Sequence, residues 1–309
     1  MNSYKKVLID AMGIKEQEKV LIFTDDNKIN IANKLYEEAK NIAKESYLFV
    51  MKPRRVSGEQ LPLEVEELMK SVDVVIAATT VSMTHTNAKV NALKSGTRVA
   101  SMPGITEDMF ENGAINANYD EVIKLTEVIT EKLTKAKYAR IEKDGYTLNL
   151  NLDGRSGVSS PGVYKNKGEG GNLPSGEAYI APIETGVNGK MLIDGSMVGI
   201  GLLKKPLLVE IENGKIVKLE GDDDNKLSIL FVSEENHTIA ELGIGTNSAA
   251  RLTGVILEDE KIYGTVHIAF GTNTSFGGKN QASCHLDGII LNPTLYLDDE
   301  KLLENGRFL

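Results

Sequence analysis

The sequence predicts an α/β N-terminal domain with a parallel sheet, followed by a mostly antiparallel β (α+β) domain. In the first half, short continuous apolar runs alternate with amphipathic helical patterns. This order is typical of a parallel sheet whose faces are covered by helices. In the second half, Asp-Gly and Asn-Gly turn pairs separate segments in which apolar and polar residues alternate, which favours antiparallel strands.

The elements of the first half follow from local patterns. Apolar residues at helical spacing predict a first helix over residues 3–12. The predicted strands cover residues 19–23, 46–51, 73–78 and 98–102. Further helices are predicted over residues 29–44, 62–70, 85–94 and 119–137. Because the pattern changes after the last helix, we expect one domain at residues 1–137 and a β-rich second domain at residues 138–309.

Composition narrows the classes of function. The 44 acidic and 35 basic residues give a net charge of −9, which disfavours a nucleic-acid partner. No apolar run reaches the roughly 18 residues of a membrane span, and the N-terminus lacks the pattern of a signal peptide. The single cysteine, Cys284, cannot form an intrachain disulfide and suits a reducing compartment. We therefore expect a cytoplasmic protein that binds neither nucleic acid nor membrane.

Three segments near the C-terminus carry residues that could hold a metal ion. Residues two apart in a strand share a face, so His285 lies beside Asp287. On an earlier strand Glu241 shares its face with two glycines, and we expect the space beside them to hold something other than a side chain. His267 projects from a third strand. Imidazoles and carboxylates on neighbouring strands are the ligands that a divalent metal ion requires, so the second domain is predicted to bind metal.

Two further residues are candidates because of where they stand in the chain. A stretch rich in Gly, Ser and Pro over residues 154–176 ends on Glu177, where a strand begins. A loop that ends in this way is more often a binding loop than a linker. His85 follows the carboxyl end of a predicted strand, where ligands of parallel sheets bind. The alternative for His85 is a residue at the start of a helix that faces solvent.

Four motifs, in this order, resemble the aminopeptidase T-like metallopeptidase family (leucyl aminopeptidase, thermophilic metalloprotease type). They are GNLPSGE at 171–177, AELGIGTN at 240–247, GTVHIAFG at 264–271 and HLD at 285–287. The resemblance implies a metallo-aminopeptidase, a hydrolase that removes the N-terminal residue of small peptides through metal-activated water. It also implies a homodimer with two divalent metal ions, zinc, cobalt or manganese, whose ligands are Glu177, Glu241, His267, His285 and Asp287.

The catalytic roles within that resemblance stay open. Glu177 or Glu241 would bind metal, act as general base or anchor the substrate amine. One feature departs from the family pattern, because residues 272–276 lack the tyrosine that these aminopeptidases carry in the metal site.

A second resemblance supports a different chemistry. The motifs SMTHTNA at 82–88 and SMPG at 101–104 are similar to a shorter branch of the same superfamily, which includes ring-cleaving 2,5-dihydroxypyridine dioxygenases. This resemblance implies one Fe(II) ion held by His267, His285 and Asp287. Such a two-histidine-one-carboxylate triad leaves coordination positions open for substrate and oxygen. His85 would then be an acid–base residue near the ring. A metal-binding protein without catalysis is a third alternative.

Overall fold

A computed structural model describes residues 2–84, 86–221, 226–227 and 231–309 of the chain. The chain divides into two units: Met1–Asp120 with Gly162–Ser175, and Glu121–Pro161 with Gly176–Leu309. The boundary between residues 137 and 138 stays a prediction, and this position lies inside the second unit. No helix among the described residues has both the length and the apolar character needed to cross a bilayer.

The described residues form seven α-helices, a π-helical turn (Val7–Ala11) and four 3-10 turns. The α-helices are α1 (Ser3–Lys6), α2 (Ile29–Lys40), α3 (Leu63–Lys70), α4 (Asn87–Lys94), α5 (Glu107–Glu111), α6 (Tyr119–Lys135) and α7 (Ile256–Asp259). The 3-10 turns are Asp26–Lys28, Ala114–Asn116, Glu234–His237 and Thr274–Phe276.

Twenty strands lie within the described ranges. In chain order they are β1 (Lys19–Asp25), β2 (Glu45–Met51), β3 (Val74–Thr79), β4 (Arg98–Pro103), β5 (Tyr138–Lys143), β6 (Tyr146–Asn151), β7 (Val158–Ser160), β8 (Gly170–Asn172), β9 (Glu177–Ile180), β10 (Val187–Ile193), β11 (Ser196–Met197), β12 (Gly201–Leu202), β13 (Leu207–Glu212), β14 (Lys215–Glu220), β15 (Ile239–Gly245), β16 (Val266–Gly271), β17 (His285–Ile290), β18 (Thr294–Leu297), β19 (Glu300–Glu304) and β20 (Arg307–Phe308).

The first unit contains a five-stranded parallel sheet in the order β2-β1-β3-β4-β8. Strands β1 to β4 confirm the four predicted strands, and the parallel sheet with its helices is present. The apolar runs of β1 and β3 are buried, as expected for a sheet that is covered by helices. Sequence reasoning missed β8, because a three-residue strand with two glycines carries no apolar pattern.

The second unit contains two antiparallel sheets with a shared apolar core. One has eight strands in the order β14-β13-β10-β6-β5-β18-β19-β20, and the other has seven in the order β12-β11-β17-β16-β15-β9-β7. Leu242 and Ile268 of the seven-stranded sheet and Leu148 and Val209 of the eight-stranded sheet belong to one buried cluster. The core therefore occupies one face of the seven-stranded sheet, and strand alternation turns the intervening residues to the other face.

Candidate metal centre

The outer face of the seven-stranded sheet gathers the predicted metal ligands. Ala269 of β16 pairs with Glu241 of β15 on one side and with Asp287 of β17 on the other. His267 lies two residues before Ala269, and His285 lies two residues before Asp287, so both share this face. Neighbouring strands are about 4.8 Å apart, which brings side chains from three strands within reach of one centre.

Two glycines of β15 make room for neighbouring groups on this face. A Cβ built on Gly243 would lie 1.9 Å from Nε2 of His267, so the imidazole occupies the space that this glycine leaves. A Cβ on Gly245 would lie 2.0 Å from the carbonyl oxygen of Ile262, where the chain passes close to β15. The expectation that the space holds something other than a side chain is therefore wrong at Gly243. At Gly245 the space is taken by backbone.

The carboxylates and imidazoles lie in contact with one another. Oε1 of Glu241 is 3.3 Å from Nε2 of His267, and its Oε2 is 3.3 Å from Nε2 of His285. Oδ1 of Asp287 lies 3.4 Å from Nε2 of His285, and Oε2 of Glu177 lies 3.4 Å from Nε2 of His267. Four of the five predicted ligands are buried, and the side chain of the fifth, His285, is 24% exposed. The structure thus brings together all five residues that the sequence singled out in the second half.

This arrangement fits a divalent metal ion. The described residues form three overlapping groups in which the possible ligand atoms lie within 4.8 Å of one another: Glu177, Glu241 and His267; Glu241, His285 and Asp287; Glu260, His267 and Asp287. Ligand atoms about 2.1 Å from a shared ion lie about 3.0–3.4 Å apart. The contacts of 3.3–3.4 Å fall in this range and are longer than the usual distance of a charge-assisted hydrogen bond.

The two imidazoles are held in different ways. Nδ1 of His285 lies 2.8 Å from the carbonyl oxygen of Thr272, to which it can donate a hydrogen bond. In the neutral ring this bond leaves Nε2 unprotonated and directed at the carboxylates, as a metal ligand requires. Nδ1 of His267 is buried without a hydrogen-bond partner, so packing against Gly243 holds that ring.

The pKa values show how the carboxylates and imidazoles balance charge without a metal ion. Burial raises the pKa of Glu241, but hydrogen bonds from His267 and His285 outweigh it and lower the pKa to about 2. Burial lowers the pKa of His267, but the hydrogen bond with Glu241 and the charge of Glu177 raise it to about 9. The pKa of His285 is raised well above its ordinary value, because the charge of Asp287 outweighs burial. In the absence of a metal ion, protons on the two imidazoles therefore supply the positive charge that balances the carboxylates.

Sequence reasoning missed two residues of this cluster, Glu260 and Lys261. Lys261 is fully buried, and its Nζ lies 2.5 Å from Oε1 of Glu177 and also contacts Oε1 of Glu260. Burial lowers the pKa of Lys261, but the two carboxylates outweigh burial and raise it above its ordinary value. Burial raises the pKa of Glu260 to about 8, against the effect of the ammonium. Four consecutive charged residues at 258–261 look like a solvated turn, and no periodicity signals their burial.

Two aromatic rings lie beside His285, one of the predicted metal ligands, with Phe276 in contact with it and Tyr179 behind Phe276. The ring of Phe276 packs edge to face against Tyr179, with centroids 5.3 Å apart, and against His285, with centroids 5.9 Å apart. The loop that carries Phe276 is tied down by Asn273, whose Oδ1 accepts a hydrogen bond from the amide of Asn280 at 2.8 Å. Phe276 lies in the segment that lacks the aminopeptidase tyrosine, so an aromatic ring without a hydroxyl stands beside the site.

His85, the remaining predicted site residue, lies outside the described residues. Cys284 is half-buried and packs against the apolar core. Cys284 directly precedes His285, the first residue of β17, and its packing against the core agrees with the predicted alternation between these two residues.

Two solved structures share this fold. The structure of 2,5-dihydroxypyridine dioxygenase from Pseudomonas putida aligns with a TM-score of 0.80 at 20% identity, over 99% of this chain and 96% of that chain. Wild-type AmpT from Thermus thermophilus aligns with a TM-score of 0.71 at 15% identity, over 99% of this chain and 98% of that chain. At these identities the likeness establishes the fold alone.

Sequence comparison separates the two resemblances. The curated 2,5-dihydroxypyridine 5,6-dioxygenase of Pseudomonas putida is 23% identical over 260 residues, which is 79% of this chain and 73% of the relative. The family model of 2,5-dihydroxypyridine 5,6-dioxygenase (NicX) matches residues 3–309. The predicted aminopeptidase activity, with its hydrolase and protease classification, is therefore wrong, and the dioxygenase alternative is supported. Because the family model covers nearly the whole chain, the protein belongs to the 2,5-dihydroxypyridine 5,6-dioxygenase (NicX) family.

Proposed function

We propose that this chain is a non-haem Fe(II) dioxygenase that opens the ring of a dihydroxylated pyridine. The observation that carries the proposal is the position of Asp287, which forms one group of possible ligands with His285 and another with His267. Two imidazoles and one carboxylate are the ligand set of non-haem iron oxygenases. The family match and the name of the Pseudomonas putida relative support the substrate class.

In this proposal His267, His285 and Asp287 hold the ion. Ferrous iron, when bound, supplies the one-electron chemistry by which oxygen reacts with a closed-shell aromatic ring. The hydrogen bond from His285 to the carbonyl of Thr272 keeps Nε2 of the ring aimed at the centre. Burial of His267 and Asp287 excludes bulk water from that side of the site.

Glu241 is the residue that we assign to proton transfer. Its carboxylate lies 3.3 Å from Nε2 of both imidazoles, within reach of a substrate that binds at the same centre. A ring hydroxyl of the substrate could give its proton to an oxygen of Glu241, and the deprotonated ring would be richer in electrons. Glu177 is held by Lys261 and faces Nε2 of His267, the atom that would bind the ion, at 3.4 Å, so we assign it the role of a negative charge beside the ion.

The aromatic residues support a planar substrate. Phe276 packs edge to face against His285 and Tyr179 packs against Phe276, and such aromatic contacts favour a flat heteroaromatic ring. We also propose that the protein works as a cytoplasmic homodimer, because its single cysteine suits a reducing compartment and the family resemblance implies a dimer. Light scattering on the purified protein measures the oligomeric state.

The test is oxygen consumption by protein that has been reconstituted anaerobically with Fe(II). With 2,5-dihydroxypyridine we expect one oxygen molecule consumed per substrate molecule, together with loss of the aromatic absorbance. The 2,3- and 2,6-isomers, assayed in parallel, define which ring positions must carry hydroxyl groups. Iron-loaded protein that consumes no oxygen with any of the three isomers would contradict the proposal.

Two variants show whether the proposed ligands are responsible. Asp287→Ala should lose both bound iron and oxygen consumption, because it removes the carboxylate that joins the two histidines. Asp299→Ala changes an exposed aspartate of the same unit and should keep both.

A further inference from the structure

The buried cluster offers more ligands than one metal ion needs. It contains four carboxylates and two imidazoles: Glu177, Glu241, Glu260, Asp287, His267 and His285. One cation already lies among them, the ammonium of Lys261. This lysine belongs to neither the proposed triad nor the proposed proton transfer, so its burial requires a separate explanation.

Contacts of both the side chain and the backbone hold Lys261 in its position. Its Nζ contacts Oε1 of Glu260 and lies 2.5 Å from Oε1 of Glu177. Its carbonyl oxygen accepts a hydrogen bond from the amide of Asn247 at 2.9 Å. Gly245 leaves room for its backbone, because a Cβ there would lie 2.8 Å from the carbonyl carbon of Lys261. Since Gly245 pairs with Glu177 across the sheet, the same glycine brings the lysine beside its carboxylate partner.

We propose that the Lys261 ammonium takes the place of a second divalent ion between Glu177 and Glu260, so that the site holds one ion only. The inference rests on the proposed function, which uses a single iron. Divalent ions bind carboxylate oxygens at about 2.0–2.2 Å, and an ammonium in contact with the same two oxygens excludes such an ion. Lys261 is thus a positioning residue that determines the number of metal ions.

The consequence of removing the ammonium follows from electrostatics. Without the ammonium, the buried carboxylate of Glu177 loses its cation and the carboxyl group of Glu260 loses a hydrogen-bond donor, and a buried charge without a partner is costly. A divalent ion can restore the balance by binding both carboxylates. Methionine has nearly the length of lysine and no charge, so Lys261→Met removes the cation while it fills most of the space.

The experiment counts the ions bound per chain. Metal-free protein is titrated with Mn(II), which is stable in air, and bound metal is measured by calorimetry and elemental analysis. We expect one Mn(II) per chain for the wild type and two for Lys261→Met. Adding Glu260→Gln to Lys261→Met removes a ligand of the second ion and should return the count to one. Lys143→Met, which removes a lysine paired with Asp194 at 2.9 Å in the same unit, should bind one ion like the wild type.

Each outcome decides the inference. One ion in folded Lys261→Met, or two in the wild type, overturns it. A Lys261→Met protein that folds only with Mn(II), with two ions per chain, supports it, whereas one that stays unfolded at every Mn(II) concentration overturns it by showing a structural role alone. Ring cleavage by the wild type together with one ion in Lys261→Met overturns this inference and leaves the proposed function intact. The expected ion counts without ring cleavage by the wild type support this inference and contradict the proposed function.

Discussion

The ring of Phe276 stands nearly perpendicular to the imidazole of His285, at 86°, with ring centroids 5.9 Å apart. This contact places an aromatic edge beside a proposed iron ligand without a polar group on the ring. A substrate bound at the metal would meet Phe276 as an apolar wall, which suits a flat heteroaromatic molecule better than a peptide.

Substitution of Phe276 should therefore weaken substrate binding more than metal binding. Phe276→Ala should raise KM for 2,5-dihydroxypyridine by roughly threefold to tenfold, since an aromatic pair contributes about 0.5–1.5 kcal/mol. Phe276→Leu keeps much of the apolar volume and should show a smaller rise. Steady-state oxygen consumption gives KM, and elemental analysis gives the iron content, which should not change. A lost iron content in Phe276→Ala would show that the ring supports the ligands instead.

A methyl group at Gly243 should disturb the metal centre directly. In Gly243→Ala the new Cβ would lie 1.9 Å from Nε2 of His267, so the imidazole must move. We expect affinity for Mn(II) to fall at least tenfold, with a loss of about 1–3 kcal/mol in the free energy of unfolding from overpacking. Gly195→Ala is the control, because its Cβ would meet Ile289 at 3.1 Å and needs only a small shift. Equal Mn(II) affinity in both variants would disprove the role of Gly243.

Glu241→Gln should separate proton transfer from metal binding. The amide keeps the size of the side chain but cannot accept the proton of a substrate hydroxyl. General-base catalysis is typically worth 10²–10⁴-fold, so kcat should fall by about a hundredfold or more while bound iron stays near one per chain. Glu210→Gln, which changes a glutamate of the same unit that pairs with Lys190 at 3.1 Å, should retain activity. If Glu241→Gln loses its iron instead, Glu241 is a ligand.

Stability of the metal-free protein should depend on pH in a defined direction. The pKa of His267 is raised from 6.5 to about 9, so its stabilisation is complete below about pH 6.5 and is lost as the pH rises through 9. The pKa of Glu241 is lowered from 4.5 to about 2, so its contribution is present above about pH 4.5 and is lost as the pH falls through 2. The melting temperature should therefore fall between pH 6.5 and 9.

Metal loading and a second histidine provide the controls for that experiment. With Mn(II) bound, the ion rather than a proton faces the carboxylates, so the fall above pH 6.5 should disappear. His237→Gln, outside the cluster, should keep the pH dependence of the metal-free wild type. An unchanged melting temperature of the metal-free protein from pH 6.5 to 9 would contradict the charge balance described for the cluster.

His85 carries the prediction that rests on sequence alone. If it is an acid–base residue near the ring, His85→Ala should lower kcat and leave the bound iron unchanged. His237→Gln serves as the matched histidine variant. Full activity in His85→Ala would favour the alternative, a residue at the start of a helix.

Local sequence patterns were sufficient to predict some residues of the candidate metal centre and not others. Alternation along a strand correctly placed His285 beside Asp287, because side-chain direction in a strand depends on the backbone alone. The burial of Lys261 depends on the partners that tertiary structure brings to it, and the three residues before it in the sequence are all charged. The same limit applies to the aminopeptidase prediction. Peptidase and dioxygenase resemblances share His267, His285 and Asp287, so the choice between them required comparison over the whole chain.

The central position of β16 also affects how firmly a metal ion would be held at the proposed site. This strand is the fourth of seven in its sheet, and it lies between the strand of Glu241 and the strand of His285 and Asp287. Amides in the middle of a sheet exchange with solvent only through large unfolding events. Hydrogen exchange in β16 should therefore be among the slowest in the second unit. An ion at this site would leave by breaking its bonds to the ligands one at a time, and not through local opening of the backbone, which favours long retention when iron in the surroundings is scarce.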